Sequence, residues 1–173
     1  VSTSAKPDTI TDFTTKSDEI KANITITGGT TFSGVDTGDA ATIADALALM
    51  SGKKGEYAFA TGTNQLVMDL DGNGLIQATD LVVTLTDLEG FDDGDIDFTV
   101  TASTTTGQND TITTGDGDDT VVFSGTTGLQ DGDVIDLDGG TNKVELDFSA
   151  AAVTAVIDMD DISNFMNFET TGA

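Results

Sequence analysis

Polar and hydrophobic residues alternate along most of this chain, and a period of two predicts β-strands. The alternation is clear in residues 23–27, where Ile24 and Ile26 share one face, and again in residues 95–100. The run Leu81–Leu85 has the same character and is rich in β-branched side chains. The pattern therefore predicts a mostly β fold.

One segment follows helical spacing instead. Hydrophobic residues recur three to four positions apart between Ile43 and Met50, and Gly52 follows as a stop signal. Asp39 precedes the run and is the predicted N-cap. We expect one short helix whose apolar face joins the core, because so narrow a stripe favours packing over partner binding.

The most informative stretch is residues 69–80, which fits a twelve-residue calcium loop. Glycine stands at position 6 (Gly74), the backbone carbonyl of position 7 belongs to Leu75, and Ile76 stands at position 8. Side chains with oxygen atoms occupy positions 1, 3, 5, 9 and 12, namely Asp69, Asp71, Asn73, Gln77 and Asp80. Calcium requires about 6–8 oxygen ligands, so this spacing predicts a calcium site.

The plainer alternative for residues 69–80 is an ordinary Asp-Gly-Asn-Gly hairpin turn in an acid-rich chain. The glycine and isoleucine positions favour calcium over that alternative. Strand patterns flank the loop on both sides, whereas an EF-hand has helices there. The helix-opening switch of a calcium sensor is therefore not expected.

From about residue 101 the chain becomes rich in glycine and aspartate. Nine positions separate Asp110 from Asp119, and nine separate Asp133 from Asn142. Gly115 and Gly117 precede Asp119 as in a G-G-x-G-x-D nonapeptide. Such repeats predict parallel turns that hold calcium through aspartates and backbone carbonyls, here Asp110, Asp119 and Asp133 with Gly115 and Gly117. Solvated turn acids are the alternative for the aspartates.

Composition excludes several functions. The 173 residues include 31 acids against 6 Lys and no Arg, for a net charge of -25. Nucleic acid and anionic membrane surfaces need a basic patch, so neither is an expected partner. No apolar run is long enough to span a membrane. Bound divalent cations would reconcile folding with so much negative charge.

Catalysis is also not expected. Cysteine and histidine are absent, which removes the serine–histidine triad, the cysteine–histidine dyad and most zinc sites. Paired carboxylates can cleave glycosides, but such sites need a pocket with aromatic platforms, and the chain has no Trp and one Tyr. The chain begins at Val1 and carries no visible signal peptide, which favours a processed product or an excised fragment.

These motifs resemble a known family. Residues 105–146 resemble the RTX (repeats-in-toxin) β-roll. Residues 7–100 look like the calcium-binding region that follows such rolls in type I-secreted proteases and bacterial S-layer proteins. That second likeness rests on Pro7-Asp8-Thr9-Ile10-Thr11-Asp12-Phe13 and on Met68-Asp69-Leu70-Asp71-Gly72-Asn73-Gly74. In the family the roll usually precedes the tail-like region, whereas here it follows.

The resemblance implies a mostly β fold, a calcium-binding parallel β-roll or β-sandwich-like solenoid with one short helix. It implies an RTX-tail-like β module over residues 1–100, with the EF-type loop, and a degenerate roll over residues 101–173.

Three functions are consistent with this reading. The first is a secreted or cell-surface bacterial structural module of a surface layer, filament or matrix, which self-assembles when calcium is present. The second is the non-catalytic secretion or folding domain of a type I-secreted enzyme or adhesin, and the third is a calcium-responsive binding module. We favour the first, with head-to-tail contacts between residues 164–168 of one copy and residues 8–13 of the next.

Overall fold

The computed structural model describes residues 6–86, 88, 91–103, 108–124, 132–147, 162–163 and 167–171. The chain forms two compact units, residues 1–19 with 33–95 and residues 20–32 with 96–173. The sequence predicted one boundary, after residue 100. The strands are β1 Asp8–Ile10, β2 Ile20–Thr27, β3 Thr31–Gly34, β4 Asp36–Ala40, β5 Tyr57–Ala60, β6 Gln65–Met68, β7 Leu81–Leu85, β8 Ile96–Ser103, β9 Thr111–Thr114, β10 Thr120–Ser124, β11 Val134–Asp136, β12 Lys143–Asp147, β13 Ile162–Ser163 and β14 Asn167–Thr171.

The described residues contain one α-helix, α1 (Ile43–Leu49), and a 3₁₀ turn at Asp93–Asp95. A mostly β fold with one short helix is therefore confirmed. Within the described ranges, no helix combines the length and apolar character that a membrane span requires.

The helix begins later than the sequence predicted. Its N-cap is Thr42, whose Oγ1 accepts a hydrogen bond from the backbone N of Asp45 at 3.2 Å. The prediction of Asp39 as the cap was wrong, because Asp39 lies in β4 and pairs with Phe59 of β5. Because β4 pairs with β5, Asp39 lies outside the first turn of α1. The hydroxyl of Thr42 is nearer and caps the free backbone amides of that turn instead.

The first unit contains a mixed sheet with the order β1-β7-β6-β5-β4. Its centre is antiparallel, since β6 pairs with both β5 and β7, whereas β1 and β4 are parallel to their neighbours. Helix α1 packs on this sheet, and the buried cluster they share consists of Ala46, Met50, Ala58, Val67 and Val82. The hairpin β6–β7 carries residues 69–80 at its tip, so a packed sheet supports the predicted calcium loop.

The second unit contains two parallel sheets. One has the order β14-β12-β10-β8-β2, and the other, which includes β3, has the order β13-β11-β9-β3. Residues in register across the first sheet form buried rows because alternate side chains face the core. One such row consists of Ile24, Val100, Val121 and Val144, all less than a tenth exposed.

Successive strands from β8 to β14 alternate between these two sheets. Equivalent residues lie 23 positions apart between β9 and β11 and between β10 and β12, as in Asp110 with Asp133 and Asp119 with Asn142. The nine-residue spacing seen in the sequence therefore joins strands of different sheets. The first unit contains a mixed sheet. The sheets of the chain therefore do not by themselves show the predicted β-roll or solenoid.

Candidate metal centre

The loop between β6 and β7 brings three acids together. Asp69, Asp71 and Asp80 each offer a carboxylate oxygen, and these oxygens lie within 4.8 Å of one another. Asp69 and Asp80 are buried, whereas Asp71 is exposed. In the part of the chain that the structure describes, this is the one group of three or more acids whose carboxylate oxygens lie so close together.

Asp69 is held by backbone amides of its own loop. Its Oδ1 accepts hydrogen bonds from the N of Gly72 at 2.7 Å and of Asn73 at 3.3 Å, and its Oδ2 accepts one from the N of Gly74 at 2.7 Å. Gly72 and Gly74 have φ values of 76° and 73°, in the left-handed region that favours glycine. The two glycines therefore let the loop turn its amides inward around one carboxylate.

The last acid of the loop closes it from the other side. Asp80 accepts hydrogen bonds from the N of Leu70 at 2.9 Å through Oδ1 and from the N of Gln77 at 2.7 Å through Oδ2. Asp71 accepts from the Oγ1 of Thr79 at 3.2 Å. These bonds fix all three carboxylates in place before any ion is bound, which lowers the entropic cost of binding.

The remaining predicted ligands lie along the same loop. Asn73 Oδ1 accepts a hydrogen bond from the N of Leu75 at 2.8 Å, and Leu75 is exposed. Gln77 contributes its backbone amide to Asp80. Ile76, at position 8 of the loop, packs against the core cluster beneath α1.

The donor set fits a hard divalent cation. Three carboxylates on one loop repel one another unless a cation lies among them, and each carboxylate has about four lone-pair positions, more than the loop amides occupy. Calcium would supply the positive charge that balances these carboxylates, with Asp69, Asp71 and Asp80 as its carboxylate ligands. The side chains of Asn73 and Gln77 and the carbonyl of Leu75 provide further oxygen atoms that could bind the ion.

A glutamate that the sequence analysis missed supports this loop. Glu56 is 3% exposed, and its carboxylate accepts four hydrogen bonds, from the N and Oγ of Ser51 at 2.7 and 2.5 Å and from the N of Gly52 and Lys53 at 3.0 and 3.1 Å. Its backbone also bonds that of Asp69. Glu56 therefore organises the segment that packs beside the metal loop. Its signal in sequence is weak, an acid directly after a glycine-rich turn.

The predicted ligands of the second unit are spread along two ladders. Asp110 Oδ1 accepts a hydrogen bond from the N of Thr30 at 2.9 Å, and Asp133 Oδ1 accepts from the N of Asp110 at 2.8 Å. In the other sheet, Asp119 Oδ1 accepts from the N of Phe98 at 2.7 Å. All three aspartates are buried, so they are not solvated turn acids.

A carboxylate oxygen on these ladders could still serve a metal. Asp110 Oδ2 is buried with no hydrogen-bond partner in the described residues, and burial raises the pKa of its carboxyl. Gly115 and Gly117 are buried in the turn before Asp119, and a Cβ at Gly117 would collide with the carbonyl oxygen of Ile96. Calcium binding by Asp110, Gly115, Gly117, Asp119 and Asp133 stays a prediction.

A second acidic turn, residues 92–95, has a structural role. Asp95 is buried, and its carboxylate accepts hydrogen bonds from Thr15 Oγ1 at 2.5 Å, from the N of Lys16 at 2.6 Å and from the N of Asp92 at 3.1 Å. Lys16 also forms an exposed ion pair with Asp92 at 3.0 Å. This turn therefore anchors the segment that follows β1.

Acids of the same unit surround Asp36. The backbone N of Asp36 donates to Asp93 Oδ1 at 3.3 Å, and Tyr57 also donates its hydroxyl to that oxygen. Burial is the main cause that raises the pKa of Asp36 to about 6, with smaller contributions from the charges of Asp93, Asp39 and Asp92. A hydrogen bond from the N of Gly38, at 2.8 Å, opposes the increase.

This raised pKa predicts a pH dependence of stability. Between the unfolded pKa near 3.8 and the folded pKa of about 6, the folded state binds more protons, so stability falls as pH rises through that window. Asp36→Asn should therefore raise the melting temperature at about pH 7.5 and change it little at about pH 4. Thermal melts in chelator at both pH values test this, and an equal shift at both would contradict it.

Comparison of the chain with protein-family models, with curated proteins and with solved structures finds no match.

Proposed function

We propose that this chain is an extracellular calcium-binding structural module of a bacterial surface-layer, filament or matrix protein. The observation that carries the proposal is the convergence of Asp69, Asp71 and Asp80 on a loop whose amides already hold two of them. Calcium bound there would tie β6 to β7 and offset part of the charge of -25. The role is structural and not catalytic.

We further propose that the second unit is an RTX-like β-roll. Strands that alternate between two parallel sheets support this, as do the aspartate ladders at their turns. The buried Oδ2 of Asp110 offers an oxygen to an ion in one of these turns.

Self-association is the proposed mode of assembly. Strands β2 and β14 end the same parallel sheet, and one row across it begins with Asn23 and ends with Asn167. A second copy whose β14 continued this register beyond β2 would bring two asparagines together and place Phe168 beside Ile24. Such a head-to-tail contact repeats without closing and builds a filament or layer.

This junction uses β2 in place of residues 8–13, which the sequence analysis paired with residues 164–168 of another copy. Residues 164–166 of the predicted C-terminal segment lie outside the described residues, and residues 167–168 begin β14. Within residues 8–13, β1 is the end strand of the mixed sheet.

Calorimetric titration of the full chain with calcium tests the metal site. We expect Asp71→Ala to bind one ion fewer than the wild type, because the loop loses a carboxylate ligand that is exposed and not needed for packing. Asp45→Ala, which removes an exposed carboxylate from α1, is the matched control and should leave the ion count unchanged. Equal ion counts in all three proteins would refute the site.

Light scattering and electron microscopy, with calcium and then with EGTA, test the assembly. Assemblies that form in calcium and dissolve in EGTA are the expected result. A strict monomer at high concentration in calcium would reject the structural role. The secretion or folding domain of a type I-secreted enzyme or adhesin would then be the better interpretation.

A further inference from the structure

The turn that ends at Asn142 is closed by a side-chain amide. Asn142 is fully buried, and its Nδ2 donates hydrogen bonds to the carbonyl oxygens of Leu137 at 2.7 Å and Gly139 at 2.5 Å. Its Oδ1 accepts from the N of Asp119 at 3.0 Å. The amide orientation is fixed by chemistry, since carbonyls only accept and the backbone N–H only donates.

The turn that ends at Asp119 is the equivalent turn one coil earlier. Lys143 and Thr120, the next residues along, are partners in the parallel pairing of β12 with β10. The turns also stack, because a Cβ at Gly140 would collide with the carbonyl oxygen of Gly117. Asp119 therefore occupies the place that Asn142 occupies in the next coil.

The two residues make the same contact through Oδ1. Asp119 Oδ1 accepts from the N of Phe98 just as Asn142 Oδ1 accepts from the N of Asp119. By the same 23-residue offset, Leu137 and Gly139 correspond to Thr114 and Asp116. An amide can donate to such carbonyls, whereas an ionised carboxylate cannot and repels them unless a cation lies between.

We propose that Asn142 takes the place of a cation, so that the turn 137–142 is closed without metal while the turn 114–119 depends on one. The last residue of each turn decides whether that turn of the second unit needs calcium. An amide such as Asn142 closes the turn without the ion, whereas a carboxylate such as Asp119 requires it. The inference rests on the proposed calcium-dependent roll for the turn at Asp119, and it goes further by assigning the metal-free turn.

A reciprocal pair of variants tests this. Asn142→Asp should lower the melting temperature in EGTA by about 5–10 °C, because two buried hydrogen bonds become repulsive contacts. Millimolar calcium should restore most of that loss, with one more bound ion than in the wild type. Asp119→Asn should do the reverse, with a higher melting temperature in EGTA and one ion fewer.

Asn142→Ala separates metal binding from simple loss of the amide, since it should be destabilised equally in EGTA and in calcium. The inference is overturned if Asn142→Asp is as stable as the wild type in EGTA, or if calcium restores none of its stability. Should Asn142→Asp fail to fold in both conditions, Asp119→Asn decides, and a lower melting temperature in EGTA would reject the inference.

The outcomes for the two proposals are distinct. If wild type binds calcium but Asn142→Asp gains none, the calcium function stands and this inference fails. If Asp71→Ala binds as many ions as wild type, while Asn142→Asp gains one ion and Asp119→Asn loses one, the inference stands and the loop site that carries the proposed function fails.

Discussion

Chelation of calcium is expected to lower the melting temperature of this protein by about 5–10 °C for each site lost. Binding to the folded state alone contributes about 2.7 kcal/mol at 100-fold excess over Kd, and about 1 kcal/mol shifts the melting temperature of a chain of this size by about 2–4 °C. The effect should be large here because the chain carries 31 acids and only 6 Lys. Without cations, that charge repels itself in the compact state.

Calorimetry and far-UV circular dichroism in EGTA and in millimolar calcium measure this shift. Magnesium at equal ionic strength is the control, since it screens charge similarly but prefers six ligands in a smaller, near-octahedral site. Identical melting curves in EGTA and calcium would contradict calcium-coupled folding. Equal stabilisation by magnesium would indicate screening instead of a built site.

Gly140→Ala is expected to destabilise the second unit by about 3 kcal/mol. Its φ is +77°, and a Cβ there would collide with the carbonyl oxygen of Gly117 and lie 2.9 Å from that of Asp116. Both neighbours are backbone atoms of the stacked turn, so relief requires the turns to separate. The melting temperature of this unit should fall by about 6–12 °C.

Gly29→Ala is the matched control within the same unit. Gly29 has a similar φ of +79°, but its Cβ would meet only the side chain of Gln108, at 3.0 Å, which can rotate away. We expect a cost of about 1 kcal/mol, from backbone strain alone. Denaturant titration of both variants gives the two free energies, and equal values would show that the turns are not stacked closely.

Local features of this structure could be predicted from sequence. The strand Ile20–Thr27 and the helix near Ile43 follow from periodicity, because burial of one face imposes a period of 2 or 3.6 on the residues themselves. The twelve-residue loop could also be predicted, since its turns and its acids are fixed by spacing within one segment. Asp39 was assigned to the wrong role because its strand partner lies twenty positions away, at Phe59.

Features that depend on distant pairing could not be predicted in this way. The nine-residue spacing from Asp110 to Asp119 suggested neighbouring turns of one stack, whereas the hydrogen-bonded neighbour of Asp119 is Asn142, 23 positions on. The division into two units was also hidden, because each unit combines two separate stretches of the chain.

The pairing of β2 with β8 has a consequence for the order of folding. The two strands match over eight residues, from Ile20 with Ile96 to Thr27 with Ser103, although 76 positions separate them. Closing so long a loop is slow, whereas β8, β10 and β12 follow one another closely. During synthesis, β2 leaves the ribosome long before its partner and must wait for it. The second unit should therefore nucleate on β8–β12, with β2 joining after them.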